Sequence, residues 1–145
     1  MKGMSSKEAK KKKEKKPLPP IRVWAPPVLV AWLVPGGGHL YLGKRNRGAI
    51  LAAAVIVTFV LGLLLRGAFF EPQTADLLTT IIYVGGNVAN KCAGLLYFLT
   101  HWMGYNQPDV AGHVHDYGTK LMVAEGLMNV LAMMDAFEIA AGRKD

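Results

Sequence analysis

The sequence is poor in the residues that build catalytic and redox sites: across 145 positions it has one cysteine, Cys92, and only ten acidic residues against seventeen Lys and Arg. A single cysteine excludes an internal disulfide and a cysteine-rich metal site, leaving Cys92 as a small packing residue. No Ser-His-Asp order, phosphate-binding glycine loop or dinucleotide fingerprint is present. The reading is therefore a non-enzymatic chain with no cofactor and no resident metal. Its length allows one domain and no second core.

What is abundant is apolar sequence: 52% of the residues, gathered into long blocks instead of being spread at the period of amphipathic soluble elements. The net charge of +7 is equally uneven, because eight lysines against Glu8 and Glu14 put six of those charges in residues 1–16. This tail lacks the interleaved aromatics of nucleic-acid-binding arms. With membrane segments directly behind it, it reads as a retained cytoplasmic run that fixes topology and meets anionic lipid headgroups. Pro17, Pro19 and Pro20 separate it from the first apolar stretch, and no small-residue cleavage pattern follows Val34.

Two regions follow: a disordered Lys/Pro-rich tail over 1–20 and a membrane helical domain over 21–145. The fold class is all-α, an integral membrane bundle of three to four helices, with segments near 23–43, 48–65, 77–105 and 117–141. Pro26 and Pro27 suit the first turn of a helix. Pro35, Gly36, Gly37 and Gly38 then break the first segment, which either spans with a kink or re-enters. Residues 48–65 carry no charge over eighteen positions and form the clearest span. Residues 106–116 read as a loop, and Gly142 as the C-terminal cap of the last helix.

Polar groups inside these segments are the candidate functional residues: Asn87, Asn90 and Lys91 in the third, and Glu125, Asn129 and Asp135 in the fourth. An ionisable group near a bilayer centre usually faces a bundle interior. Counting residues from each surface places Lys91 level with Val130, which predicts a buried pair with Glu125 or Asp135, Glu125 first because helical rotation puts it on nearly one face with Asn129. Small residues recur every fourth position, as Gly85, Ala89 and Ala93 and as Gly86, Asn90 and Gly94, a spacing that lets helix backbones approach closely. His113, His115 and Asp116, with His101 a loop away, could approach a divalent ion. Two histidines two apart share a face only in a strand, so solvated loop residues are the expectation.

The segment Pro35 to Gly48, PGGGHLYLGKRNRG, resembles the hairpin of the TM-two domain, with Gly38, His39, Tyr41, Leu42, Gly43 and Gly48 matching its pattern. The resemblance implies a turn between membrane segments. Together with the ending NVLAMMDAFEIAAGRK, the chain from Trp24 to Lys144 resembles an uncharacterised family of bacterial membrane proteins, domain of unknown function 6677. That implies a multi-pass protein of the bacterial inner membrane. The function expected is an accessory or scaffold subunit packing through its small-residue faces on itself or a membrane-protein partner. The alternative is a small transport element using Lys91 and the acidic residues of the last helix.

Overall fold

The first helix stops because Val34 precedes a proline. In the computed structural model, which describes residues 17–108 and 112–144, α1 runs over Ile21–Leu33 and Val34 turns extended, the conformation a following proline imposes. Gly36 then takes φ 73°, a value that costs glycine little. The short helix α2, Gly37–Tyr41, folds back along α1, so that Gly38 packs on the Pro27 carbonyl and Ala31. Of the two readings of the first segment, the packing is that of the hairpin. Pro26 and Pro27 lie inside α1, beyond its first turn. Their missing N–H groups leave the carbonyls of Arg22 and Val23 without i+4 donors.

A turn at Gly43 leads into α3, Arg45–Leu64. Among the described residues α3 alone is long and apolar enough to cross a membrane, with a mean hydropathy of 2.3. Asp76 caps the next helix, α4 (Leu77–Cys92), its carboxylate accepting the Thr79 amide at 3.3 Å. The expected single helix over 77–105 is not formed. It breaks at Ala93 and Gly94, and α5 occupies Leu95–Trp102. Gly94 has φ 64°, and a Cβ there would collide with the Trp32 carbonyl, so backbone conformation and space both require glycine.

The chain also reverses at this break. Phe70 meets Tyr83 of α4 edge-on at 5.4 Å, its neighbour Phe69 meets Tyr97 of α5 at 4.9 Å, and the Tyr105 hydroxyl donates to the Gly67 carbonyl at 2.8 Å. One short stretch, 67–70, thus touches both arms. The third segment, like the first, is a hairpin.

The last helix, α6, spans His113–Ala140 and starts four residues earlier than expected, so His113, His115 and Asp116 form its first turn. Gly142 follows with φ 68°. The α6 helix runs antiparallel to α3, with Gly62 on Met122 and Arg47 4.0 Å from Asp135. It is antiparallel to α1 as well, with Trp24 against Phe137 at 5.1 Å. It runs parallel to α4, with Gly126 on Ala89 and Asn129 on Cys92. The α1–α2 hairpin therefore enters from the Arg45 end of the molecule, the α4–α5 hairpin enters from the Gly67 end, and their tips meet half-way along α6. The lysine-rich residues 1–16, expected to be disordered, lie outside the described residues.

Candidate functional site

Three polar side chains of the expected set converge where the hairpin tips meet α6. Asn90, Glu125 and Asn129 are all 0% exposed. Asn129 and Glu125 are one turn apart on α6, and Asn90 lies one residue from the Ala89 carbonyl on which Gly126 packs. The Asn129 amide donates to the Cys92 carbonyl at 2.8 Å and to the Trp32 carbonyl at 3.3 Å. The Trp32 indole donates in turn to the Lys91 carbonyl at 3.1 Å. These bonds serve the carbonyls that two interrupted helices leave without an i+4 donor.

The expected pair between Lys91 and Glu125 is not formed. No side chain bonds either Glu125 oxygen, and Lys91 is exposed. At about 100° per residue, Lys91 stands about 200° round the helix from Ala89, the residue facing α6. Counting depth along an unbroken third helix carried no information on that rotation. The small-residue face divides in the same way. Gly86 packs on Phe70, Ala89 on Gly126, and Gly94 on Trp32, whereas a Cβ on Gly85 meets nothing within 4 Å. Ala93 is fully buried and Asn87 donates to the Phe70 carbonyl at 2.6 Å.

At the Arg45 end, His39 Nε2 and Asp135 Oδ2 are 2.8 Å apart, and Lys144 bonds the other Asp135 oxygen. His39 is fully buried and its Nδ1 has no partner in the chain. No spacing signal in the sequence links His39 and Asp135, 96 positions apart. The turn that follows, Gly43 to Arg47, is largely exposed, as is Tyr41 at 62%.

At the Gly67 end, the arms of the second hairpin splay around a cavity of about 590 Å³ whose lining includes Phe70, Tyr83, Asn87, Tyr97, His101 and Tyr105. His101 stacks on Tyr97 with ring centroids 6.0 Å apart. Burial pushes the Tyr105 phenol up, and Arg66 pulls it partly back. His113 is exposed and His115 half-buried. Among the described residues no group of three or more His, Cys, Asp or Glu side chains is placed to hold a metal ion.

Residues 27–145 match a family of unknown function, DUF6677. The chain belongs to that family. No curated protein and no solved structure matches it. The DUF6677 match takes in both hairpins from Pro27 onward, along with α3 and the whole of α6.

Proposed function

We propose that this chain is an integral protein of the bacterial inner membrane, crossed fully by the apolar α3 and by α6, which has the length but not the hydropathy of α3 and packs against it, and half-way by each hairpin. It would act without catalysis, as an accessory or scaffold subunit. The membrane reading rests on the apolar outer surface, where Ile50, Val57, Leu64, Leu77, Val88 and Leu131 are each between 55% and 79% exposed. Such a band is lipid-facing or partner-facing in physical terms. Tyr117 and Trp102 flank it at the Gly67 end and Tyr41 at the other, exposed by 62% or more, as aromatic residues at headgroup level would be. From Tyr117 to Phe137, α6 rises about 30 Å, the thickness of a hydrocarbon core.

Orientation follows from this topology. Arg22, Lys44, Arg45, Arg47, Arg143 and Lys144 belong to one end, the end at which the chain enters after a sequence with eight lysines, against Arg66 and Lys120 at the other. A split that lopsided supports a cytoplasmic Arg45 end. The tail then stands ready for anionic headgroups.

The observation that carries the scaffold reading is Lys91. It sits beside Cys92, whose carbonyl bonds Asn129 at 2.8 Å, so it lies level with the middle of α3. Yet it is exposed, on the outer face of α4 that also carries Val84 and Val88. A cation at that depth is expensive facing lipid and is relieved by a carboxylate on a neighbouring helix, from a second copy or another membrane protein. Purification from native membranes in mild detergent tests this. The wild type should retain a stoichiometric partner that Lys91→Met loses while keeping its own fold. Retention of the same partner by Lys91→Met, or a bare monomer from the wild type, would remove the reading. The transport alternative draws on a different residue, the unpartnered Glu125.

A further inference from the structure

We propose that Glu125, Asn90 and Asn129 bind one dehydrated alkali cation at the junction of the hairpin tips. Nothing in the family match assigns such a site, and the proposal does not depend on what docks at Lys91.

Four side-chain oxygens are buried here with no donor in the chain, both of Glu125, Oδ1 of Asn90 and Oδ1 of Asn129, against one buried unpartnered donor, Asn90 Nδ2, which leaves an excess of acceptors. The orientation of Asn129 is fixed by its own bonds, because its amide nitrogen is committed to the Cys92 and Trp32 carbonyls. Its oxygen must then face away from them and accept. A buried acceptor left without donor or cation costs about 1–3 kcal/mol, and a carboxylate more.

The interrupted helices favour a cation in particular. Helix α1 ends at Leu33 and α4 at Cys92, and both C-termini point to this level of the bundle. Each helix C-terminus carries partial negative charge, which opposes an unpaired anion at Glu125 and attracts a positive ion. Unwound carbonyls and half-helix C-termini inside a membrane are a setting in which sodium-like ions are held. Hard oxygen donors suit such an ion. The valence follows from the charge. Among the described residues Glu125 is the one ionisable group buried at the junction, with Lys91 turned outward. A monovalent ion leaves the site neutral, whereas a divalent one would bury a net positive charge at large desolvation cost.

The cavity at the Gly67 end stops short of the three side chains themselves. Asn87 lines it and lies one helical turn before Asn90.

The test uses the full chain in detergent at fixed pH and ionic strength, with choline chloride replaced stepwise by sodium or potassium chloride. The thermal midpoint should rise and saturate with at least one alkali ion, by roughly 5 °C at about ten times its dissociation constant. Glu125→Gln should lose that rise. Should Glu125→Gln fail to fold, saturable binding of radioactive sodium or rubidium to the wild type at one ion per chain carries the same decision. A midpoint indifferent to alkali ions, an equal rise in Glu125→Gln, or no saturable binding would each overturn the proposal, leaving Glu125 a neutral carboxylic acid.

Discussion

The Trp32 indole nitrogen and the Lys91 carbonyl oxygen, 59 positions apart in the chain, lie 3.1 Å from one another and join two hairpins that enter from opposite ends of the molecule. Each hairpin ends a helix half-way through the bundle. Each also leaves carbonyls that no continuing helix serves. The side chains of Trp32 and Asn129 take over that duty, and this makes the junction both the tightest and the most polar layer of the fold.

Tightness at the junction predicts opposite effects of the same substitution at two glycines of adjoining helices. A Cβ on Gly126 would overlap the Ala89 carbonyl, whereas one on Gly85 meets nothing. Gly126→Ala should destabilise the purified protein by about 1–3 kcal/mol, the usual range for overpacking a close contact. Gly85→Ala should stabilise it by about 0.5–1 kcal/mol through the restricted unfolded chain. Thermal unfolding in detergent, followed by intrinsic tryptophan fluorescence, separates the two. Equal shifts would mean that α4 is rotated differently against α6.

Lys91 and Glu125 should behave as strangers. Lys91→Met removes an exposed side chain and should shift the stability of the purified chain by no more than about 0.5 kcal/mol. Added to Glu125→Gln, its effect should be additive within the same margin. A coupling energy above about 1 kcal/mol in that double-mutant cycle would restore the pair that residue counting predicts.

Both termini should report from the same side of the membrane. Trp24 packs on Phe137, and Lys144 bonds Asp135 beside His39, so the start of α1 and the end of α6 share one end of the bundle. Counting segments alone makes a cytoplasmic C-terminus a sign of four full spans and an external one a sign that the first segment turns back. With both hairpins turning back, a cytoplasmic C-terminus needs only two full spans. Reporters fused after Asp145 and ahead of residue 21 should both read cytoplasmic, and opposite signals would contradict the second hairpin.

The start of α4 should loosen in acid. Hydrogen bonding to Thr79 holds the Asp76 carboxyl below its ordinary value of 3.8. A carboxyl lowered on folding contributes fully above its unfolded pKa and loses that contribution as pH falls through the lower folded value. Exchange of the Thr79 amide, corrected for its intrinsic pH dependence, should therefore quicken below pH 3.8. Asp76→Ala should show the faster exchange at every pH.

Much of this architecture was legible in the residues, and the illegible part has a physical pattern. Eighteen uncharged positions announce α3 because nothing in such a run offers the chain another stable state. The first reversal is equally plain, since a proline followed by three glycines forbids a continuing helix. The second hairpin leaves hardly a trace. Gly94 sits in an apolar run of helix formers, and the need for φ 64° arises from the Trp32 carbonyl pressed against it, a tertiary fact. The same holds for His39 and Asp135, whose meeting depends on both hairpins being placed first. Four-residue spacing identified small stripes on the third segment but could not say which one turns inward: Gly86 does and Gly85 does not. Residue type and depth single out Asn90, Glu125 and Asn129, and helical rotation sets Glu125 and Asn129 on one face of α6. The partner they were assigned was wrong because rotation about α4 decides it.

Asn129 also bears on the order of assembly during synthesis. Its amide reaches back 97 positions to Trp32 and 37 to Cys92, and it belongs to a helix that leaves the ribosome after both hairpins. In the membrane setting proposed above, two half-length hairpins sit with bare carbonyls in a medium that offers them no water until α6 arrives. The nascent chain must keep those tips hydrated, shielded by the insertion machinery, or held short of full depth. The final helix thus serves as the keystone of the bundle, and the preceding elements stay open to rearrangement until it is in place.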